Sequence, residues 1–311
     1  MSGKSETFSY VAVAVAASST SFMTLGQSLE DACRAAGLIS TAPPRLLAGE
    51  GKWTAVECAV DLGDMAVTDA RTILETQLSS HADIALISAH NRRKKLLISD
   101  MDSTIIEQEC LDELAAYAGL KDEIAAITAR AMAGELDFEG ALTERVGKLK
   151  GLSLKALDQC YRERISLMPG GRTLTETMKA HGAHCLLVSG GFTYFTERVA
   201  DAAGFQDHRG NTLMDDGGAL TGEVGMPILG REAKLEALDQ AASTIGVSRA
   251  DAIAMGDGAN DLAMIEAAGL GLAVHAKPIV ASASNAAINV TDLTAALFFQ
   301  GYTESEIIWE R

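Results

Sequence analysis

The segment Lys95-Leu96-Leu97-Ile98-Ser99-Asp100-Met101-Asp102-Ser103-Thr104 constrains this chain more than any other. A short run dominated by Leu and Ile is the pattern of a strand buried on both faces. The run stops abruptly at two acids, Asp100 and Asp102, followed by two hydroxyls. In an open α/β sheet, ligands bind beyond the carboxyl ends of the strands. Two carboxylates in that position must bind a cation, stay partly protonated, or repel each other. A nucleophilic aspartate followed two residues on by an acid/base aspartate would use this spacing. A strand capped by a solvated Asx-turn would produce it as well. Only the remaining segments distinguish the two.

At 311 residues the chain has room for about two domains of ~150 residues each. With 48% apolar and 22% charged residues it suits a soluble globular protein with a sizeable core. A formal charge of -16 argues against non-specific nucleic-acid or anionic-membrane binding. An anionic substrate would then need local cations or a metal. Cys33, Cys58, Cys110, Cys160 and Cys185 are scattered and form no CxxC pair, as expected of reduced thiols in a cytoplasmic protein. The apolar stretch 11–17 has only Lys4 before it, opposed by Glu6, which is poor for a signal peptide. Val11, Val13 and Val15 alternate with alanines, which is strand spacing. No run of 18 or more apolar residues exists, so no membrane span is expected.

Residues 1–90 read as a small α/β unit. A strand near 8–16 leads to a helix with Leu25, Leu29, Ala32, Cys33 and Ala36 on one face. Pro43-Pro44 and Gly49-Glu50-Gly51 punctuate a short strand, and another strand follows at 53–60. Val67, Ala70, Ile73, Leu74 and Leu78 mark a second helix, and 84–87 a last strand. The order βαββαβ is that of ferredoxin-like folds. The unit resembles an ACT domain, a module that often senses amino acids; packing or dimerisation is the alternative role. The polar run 90–95 reads as a linker to a second domain, 91–311.

From 110 to about 167 the pattern changes to helices. Leu111, Leu114, Ala115 and Ala118 form one stripe, and Ile124 and Ile127 belong to a helix that Gly134 terminates. Phe138, Leu142 and Arg145 fall at i, i+4 and i+7, which puts Arg145 on the apolar stripe. There it either snorkels from a core edge or directs a cation inward at an anion. Pro169-Gly170-Gly171 ends the insertion, and a second buried-strand run, 183–188, ends at Ser189-Gly190-Gly191. Glycines after a hydroxyl let backbone N–H groups approach an oxyanion closely. Segments 211–214 and 219–224 read as a hairpin, and Lys234 lies near a helix start. A strand at 251–255 runs into Gly256-Asp257-Gly258-Ala259-Asn260-Asp261 and another helix. Asp257 and Asp261 are spaced to meet on one side of that helix start, where hard oxygen ligands suit Mg²⁺. Segments 271–274 and 288–290 read as edge strands, and 293–302 as a closing helix.

Asp100-Met101-Asp102-Ser103-Thr104, Ser189-Gly190-Gly191, Lys234 and the 256–261 segment together resemble the four motifs of haloacid-dehalogenase-superfamily phosphatases. The likeness runs from Lys95 to the end, and the helical insertion falls where that superfamily's C1 cap lies. The fold class expected is therefore α/β, a Rossmann-like core with a helical cap, preceded by a ferredoxin-like unit. Within the superfamily the chain is similar to the phosphoserine phosphatase branch. Glu109, Met132, the run Asp137-Phe138-Glu139-Gly140-Ala141-Leu142-Thr143-Glu144-Arg145-Val146, Met168-Pro169-Gly170-Gly171 and Asp292-Leu293-Thr294 carry that likeness.

The resemblance implies a cytoplasmic, Mg²⁺-dependent hydrolase making L-serine from O-phosphoserine, with no nucleic-acid or membrane partner and a homodimer through 1–90 as one arrangement. It implies Asp100 as nucleophile and Asp102 as acid/base. Mg²⁺ would be held by the carboxylates of Asp100 and Asp257 and the backbone carbonyl of Asp102. Ser189, the Gly190 N–H and Lys234 would bind phosphoryl oxygens, with Asn260 and Asp261 orienting Lys234 and the metal's waters. Glu109 would face the serine ammonium and Arg145 the serine carboxylate, one group of each sign for an amino acid. Two rivals remain: a related phosphatase or phosphotransferase, and an amino-acid-binding regulator with a vestigial phosphatase half. The presence of both Asp100 and Asp102 weighs against the regulator.

Overall fold

The computed structural model describes residues 10–132 and 135–310. The expected helix end at Gly134, the first residues of the expected strand at 8–16, and the side chain of Met132 lie outside the described residues. The N-terminal region runs β1 (Tyr10–Ala17), α1 (Phe22–Ala35), β2 (Ile39–Ser40), β3 (Arg45–Ala48), β4 (Trp53–Asp61), α2 (Val67–Leu78) and β5 (Ala82–Ser88). Ser21 caps α1 by accepting from the Thr24 N–H at 3.2 Å. The antiparallel strand order β2-β4-β1-β5, with β3 also on β4, is ferredoxin-like.

Both sets of alternating residues in β1 are buried. Ala12, Ala14 and Ala16 pack under α1 and α2, whereas Val11, Val13 and Val15 join a second core that also contains Leu97, Phe298 and Phe299. The Val/Ala alternation is one of size, not polarity, because the sheet has no solvent face here.

The core continues with β6 (Leu96–Ser99), then four helices of the insertion, α3 (Cys110–Tyr117), α4 (Lys121–Met132), α5 (Phe138–Lys148) and α6 (Leu154–Arg164). It resumes with α7 (Gly171–Ala180), β7 (His184–Phe192), α8 (Thr193–Ala203), β8 (Asp207–Asn211), β9 (Leu213–Asp215), β10 (Leu220–Val224) and α9 (Arg231–Ile245). The chain then forms β11 (Ala252–Gly256), α10 (Leu262–Ala267), β12 (Leu270–Val274), α11 (Pro278–Ala283), β13 (Ala286–Ile288) and α12 (Ala295–Phe299). Strands β13-β12-β11-β6-β7-β8 are parallel neighbours in that order. This is the doubly wound arrangement, with its topological switch point between β6 and β11. No helix among the described residues is long and apolar enough to cross a membrane.

Two expectations are corrected. Segments 271–274 and 288–290 are not edge strands. β12 lies between β11 and β13, and β13 meets β5 antiparallel through Ala286 and Ala85, so one eleven-stranded sheet spans both regions. The expected hairpin strand at 211–214 is split: Asn211 closes β8 in the main sheet, and only Leu213–Asp215 pairs with β10. The polar run 90–95, expected as the linker, is itself packed. Arg92 is an ion pair with Glu57 at 2.6 Å and donates to the Phe298 and Phe299 carbonyls. Lys94 donates to the Asn91 and Ala250 carbonyls at 2.8 and 2.7 Å. Asp83, buried at 3% exposure, accepts from the N–H groups of Asn289, Val290 and Thr291 and from the Thr291 hydroxyl.

Both legs of the insertion are stitched together where they leave the core. Ile106 pairs with Leu167, and the Met168 N–H donates to the Ile105 carbonyl at 2.8 Å. Gly170 follows at φ +79, and a Cβ there would stand 2.7 Å from Thr294 Oγ1 and 2.8 Å from Asp292 Oδ1. Only glycine lets the Asp292-Leu293-Thr294 turn pack onto this leg.

Candidate active site

Each acidic segment sits at a strand's carboxyl end, as the strand runs required. Asp100 follows β6, and its N–H donates to the Met255 carbonyl of β11 at 3.0 Å, which locks the two strand ends across the switch point. Its Oδ1 accepts from the Met101 N–H at 2.8 Å. Asp102 turns the other way: one oxygen accepts from the Cys110 N–H at 2.8 Å and the other from the Ser189 hydroxyl at 3.1 Å. Burial and the neighbouring Asp100 push the Asp102 carboxyl up to about 6.

Beneath the strand ends lies Lys234, 3% exposed, with its ammonium 2.7 Å from Asp100 and 2.5 Å from Asp261. Burial works against this cation, but the two carboxylates outweigh it and hold it above the usual lysine range. Asp261 is fully buried and also accepts from the Gly258 N–H at 3.0 Å. It folds back directly over Gly256, where a Cβ would collide with its carboxyl group. That is the physical role of the first glycine in this segment.

Asp100, Asp257 and Asp261 each bring a carboxylate oxygen within 4.8 Å of the others. Burial, then Asp100 and Glu109, push the Asp257 carboxyl up to about 6. Three crowded carboxylates against one lysine leave negative charge in excess. A hard, oxygen-seeking divalent cation fits this donor set.

A cavity of about 630 Å³ opens over these groups. Of the ten residues expected from the sequence, eight line it: Asp100, Asp102, Glu109, Arg145, Ser189, Gly190, Asp257 and Asn260. Lys234 and Asp261 stand behind the wall, so Lys234 touches carboxylates here rather than facing the open space. Across the cavity, Glu109 accepts from the Ser103 hydroxyl at 2.7 Å, and displaced water together with Asp102 raises its carboxyl to about 7. Arg145 donates to the Ala141 carbonyl of its own helix at 3.2 Å, and burial lowers it against the pull of Asp112 and Glu109.

The stripe Phe138, Leu142, Arg145 is only partly core. Leu142 is buried, but Phe138 is 40% exposed on the cavity wall. Its ring lies 3.3 Å from where a Cβ on Gly190 would be, so the insertion closes directly onto the Ser189-Gly190 turn. Asp112, Thr128 and Lys277 also line the cavity and were not singled out in the sequence. Asp112 carried a readable signal, lying in the first turn of α3 just after Glu109; Thr128 and Lys277 carried none.

A switch-point site with paired aspartates, a buried lysine and a hydroxyl–diglycine turn defines an α/β enzyme. The chain belongs to the haloacid dehalogenase-like hydrolase family, whose model matches residues 97–266. It is 42% identical over 257 residues to a phosphoserine phosphatase of Streptomyces coelicolor, an alignment covering 82% of this chain and 62% of that protein's length. It is 48% identical over 200 residues to a phosphoserine phosphatase of Polaromonas sp., covering 63% of this chain and 85% of the relative. The unliganded structure of a probable phosphoserine phosphatase from Vibrio cholerae superposes with a TM-score of 0.73 at 30% identity, covering 94% of this chain and 86% of that one.

Proposed function

We propose that this protein hydrolyses O-phospho-L-serine to L-serine and phosphate, with Mg²⁺, through an aspartyl-phosphate intermediate, as the closing step of serine biosynthesis. One observation carries the reading: a single cavity joins the Asp100–Asp102 pair to a carboxylate, Glu109, and a guanidinium, Arg145. Those two signs match the ammonium and carboxylate of an amino acid, while the phosphoryl end meets the aspartates. The similarity to phosphoserine phosphatases supports the same substrate.

Asp100 attacks phosphorus in line, and the bond from phosphorus to the serine oxygen breaks. Asp102 gives its proton to the departing oxygen, a transfer suited to a carboxyl raised to about 6. It then takes a proton from the water that attacks the aspartyl-phosphate, releasing phosphate and restoring Asp100. Ser189 and the Gly190 N–H bind phosphoryl oxygens as charge spreads over them, and Lys234, which touches Asp100 from behind the wall, meets the phosphoryl group as it joins that carboxylate. Asn260 and Asp261 keep Lys234 oriented. Mg²⁺, held by Asp100, Asp257 and the Asp102 carbonyl, would supply positive charge to the phosphoryl group. We place the division between the N-terminal and catalytic units at 90/91.

The reading is tested by phosphate release across phosphoserine, phosphothreonine, phosphoethanolamine and sugar phosphates, with Mg²⁺ and with EDTA. Phosphoserine should lead the panel and EDTA should abolish release. Equal rates across the panel would reject the amino-acid assignment.

A further inference from the structure

Strands β7 and β8 lose register where the cavity begins. Val188 pairs with Arg209 and Phe192 with Asn211, so β7 advances four residues while β8 advances two. Ser189, Gly190 and Gly191 bulge out of the ladder, and their backbone groups need partners from elsewhere. Asn211 supplies one: its Nδ2 donates to the Gly190 carbonyl at 2.8 Å. The N–H of the same Gly190–Gly191 peptide donates to Ser189 Oγ at 2.8 Å. Both ends of that peptide unit are therefore tied.

The Asn211 side chain is also tied on its other side. Its Oδ1 accepts from the Leu229 N–H at 2.7 Å, and its Nδ2 reaches the Leu229 carbonyl at 3.4 Å. Leu229 is followed by Gly230, which caps α9, the helix that carries Lys234. One amide, 1% exposed, thus bridges the Ser189-Gly190 turn and the lead-in to Lys234. Its orientation is self-consistent, since the reverse flip would aim an oxygen at two carbonyls.

We infer that Asn211 is a positioning residue that holds these two elements in one register and so sets the shape of the phosphate subsite. The inference rests on the phosphatase reading above. The amide serves here because its two ends, spaced to reach both elements, donate to Gly190 and accept from Leu229 at once. A carboxylate keeps the acceptor and loses the donor; a leucine of similar size loses both.

The test measures inorganic phosphate binding by calorimetry in Mg²⁺ buffer, together with phosphoserine kinetics and Tm, for wild type, Asn211→Asp and Asn211→Leu. Both variants should weaken phosphate binding and lower kcat/KM about tenfold or more, the scale of a lost buried hydrogen bond and its unpaired partner. The phosphoserine-to-phosphoethanolamine preference should stay unchanged, because Glu109 and Arg145 are not touched. Combining Asn211→Leu with Ser189→Ala should cost less than the product of the two, since both side chains pin one peptide. Phosphate binding within twofold of wild type, whatever the Tm, would overturn the inference. Should neither variant fold, hydrogen exchange on the wild type decides: phosphate should protect 189–192 and 226–231 together, and protection of one segment alone would overturn it. A wild type that binds phosphate yet leaves phosphoserine intact would strike the proposed substrate, while the binding measurement still judges Asn211.

Discussion

The ammonium of Lys234, buried behind the cavity wall, stands 2.7 Å from Asp100, which lines the cavity. Asp261 holds the same ammonium from the other side. The attacking carboxylate of the proposed mechanism is thus positioned by a cation that is itself positioned by a third, fully buried group.

Lys234→Met should be both inactive and less stable. It leaves Asp100 and Asp261 buried without their cation, and breaking such a pair costs roughly 3–5 kcal/mol. A metal-free melting curve measures this, and Mg²⁺ should recover part of the lost Tm by neutralising the same carboxylates. An unchanged Tm would show that the lysine is not balancing their charge.

Asp100→Asn should abolish turnover while the protein still folds, because a neutral amide is a poor nucleophile. The check is steady-state phosphate release by a variant shown by mass spectrometry to be undeamidated. Substantial turnover would sink the covalent route.

Arg145→Ala should raise KM for phosphoserine far more than for phosphoethanolamine, which lacks the carboxylate. A charge-assisted hydrogen bond of ~1.5–3 kcal/mol corresponds to about ten- to a hundredfold. Equal losses on both substrates would assign Arg145 to packing of the insertion or to the phosphate.

Mg²⁺ affinity should fall as pH drops through about 6, where the Asp257 carboxyl titrates in the metal-free protein. The sign follows from competition: the carboxyl is raised, so protons occupy it at mildly acidic pH and must leave for the cation to bind. Calorimetric titrations at pH 5.5 and 7.5 read this directly, and Asp257→Ala should weaken binding at both. Identical affinity at the two pH values would remove Asp257 from the donor set.

Asp83→Ala should lower Tm without changing KM. Asp83 accepts four hydrogen bonds from Asn289, Val290 and Thr291, and unpairing the two buried donors of Thr291 costs about 1–3 kcal/mol each. The predicted loss is several degrees, since ~1 kcal/mol shifts Tm by about 2–4 °C in a chain somewhat smaller than this one. A Tm equal to wild type would mean that the two regions dock through the shared apolar core alone.

Most of the candidate site was legible because its signals are local. Asp100, Asp102, Ser189 and Asp257 each end a run of apolar residues, and a strand end is where a doubly wound sheet exposes side chains to ligand. Arg145 was legible through helical spacing, and Phe138 and Leu142 of the same stripe line the cavity with it. Asn211 was not legible: it sits in a segment with hairpin spacing, and nothing nearby announces that the strand opposite will bulge.

Local pattern was enough for most strands and helices, for the apolar residues on both faces of β1 and β6, and for the acids at strand ends, though not for β8 or α11. These follow from side-chain period and composition within a few residues. Tertiary structure alone decided which strands become neighbours. β12 and β13 lie inside the sheet because β5, some 200 residues earlier in the chain, continues it through Ala85 and Ala286. It also decided the partners of the buried polar groups, Asp83 with 289–291, Arg92 with Glu57, Lys234 with Asp100 and Asp261, and Asn211 with Gly190. The physical reason is that a buried charge or amide must be paired, yet its partner is set by packing across the whole fold, not by the residues beside it.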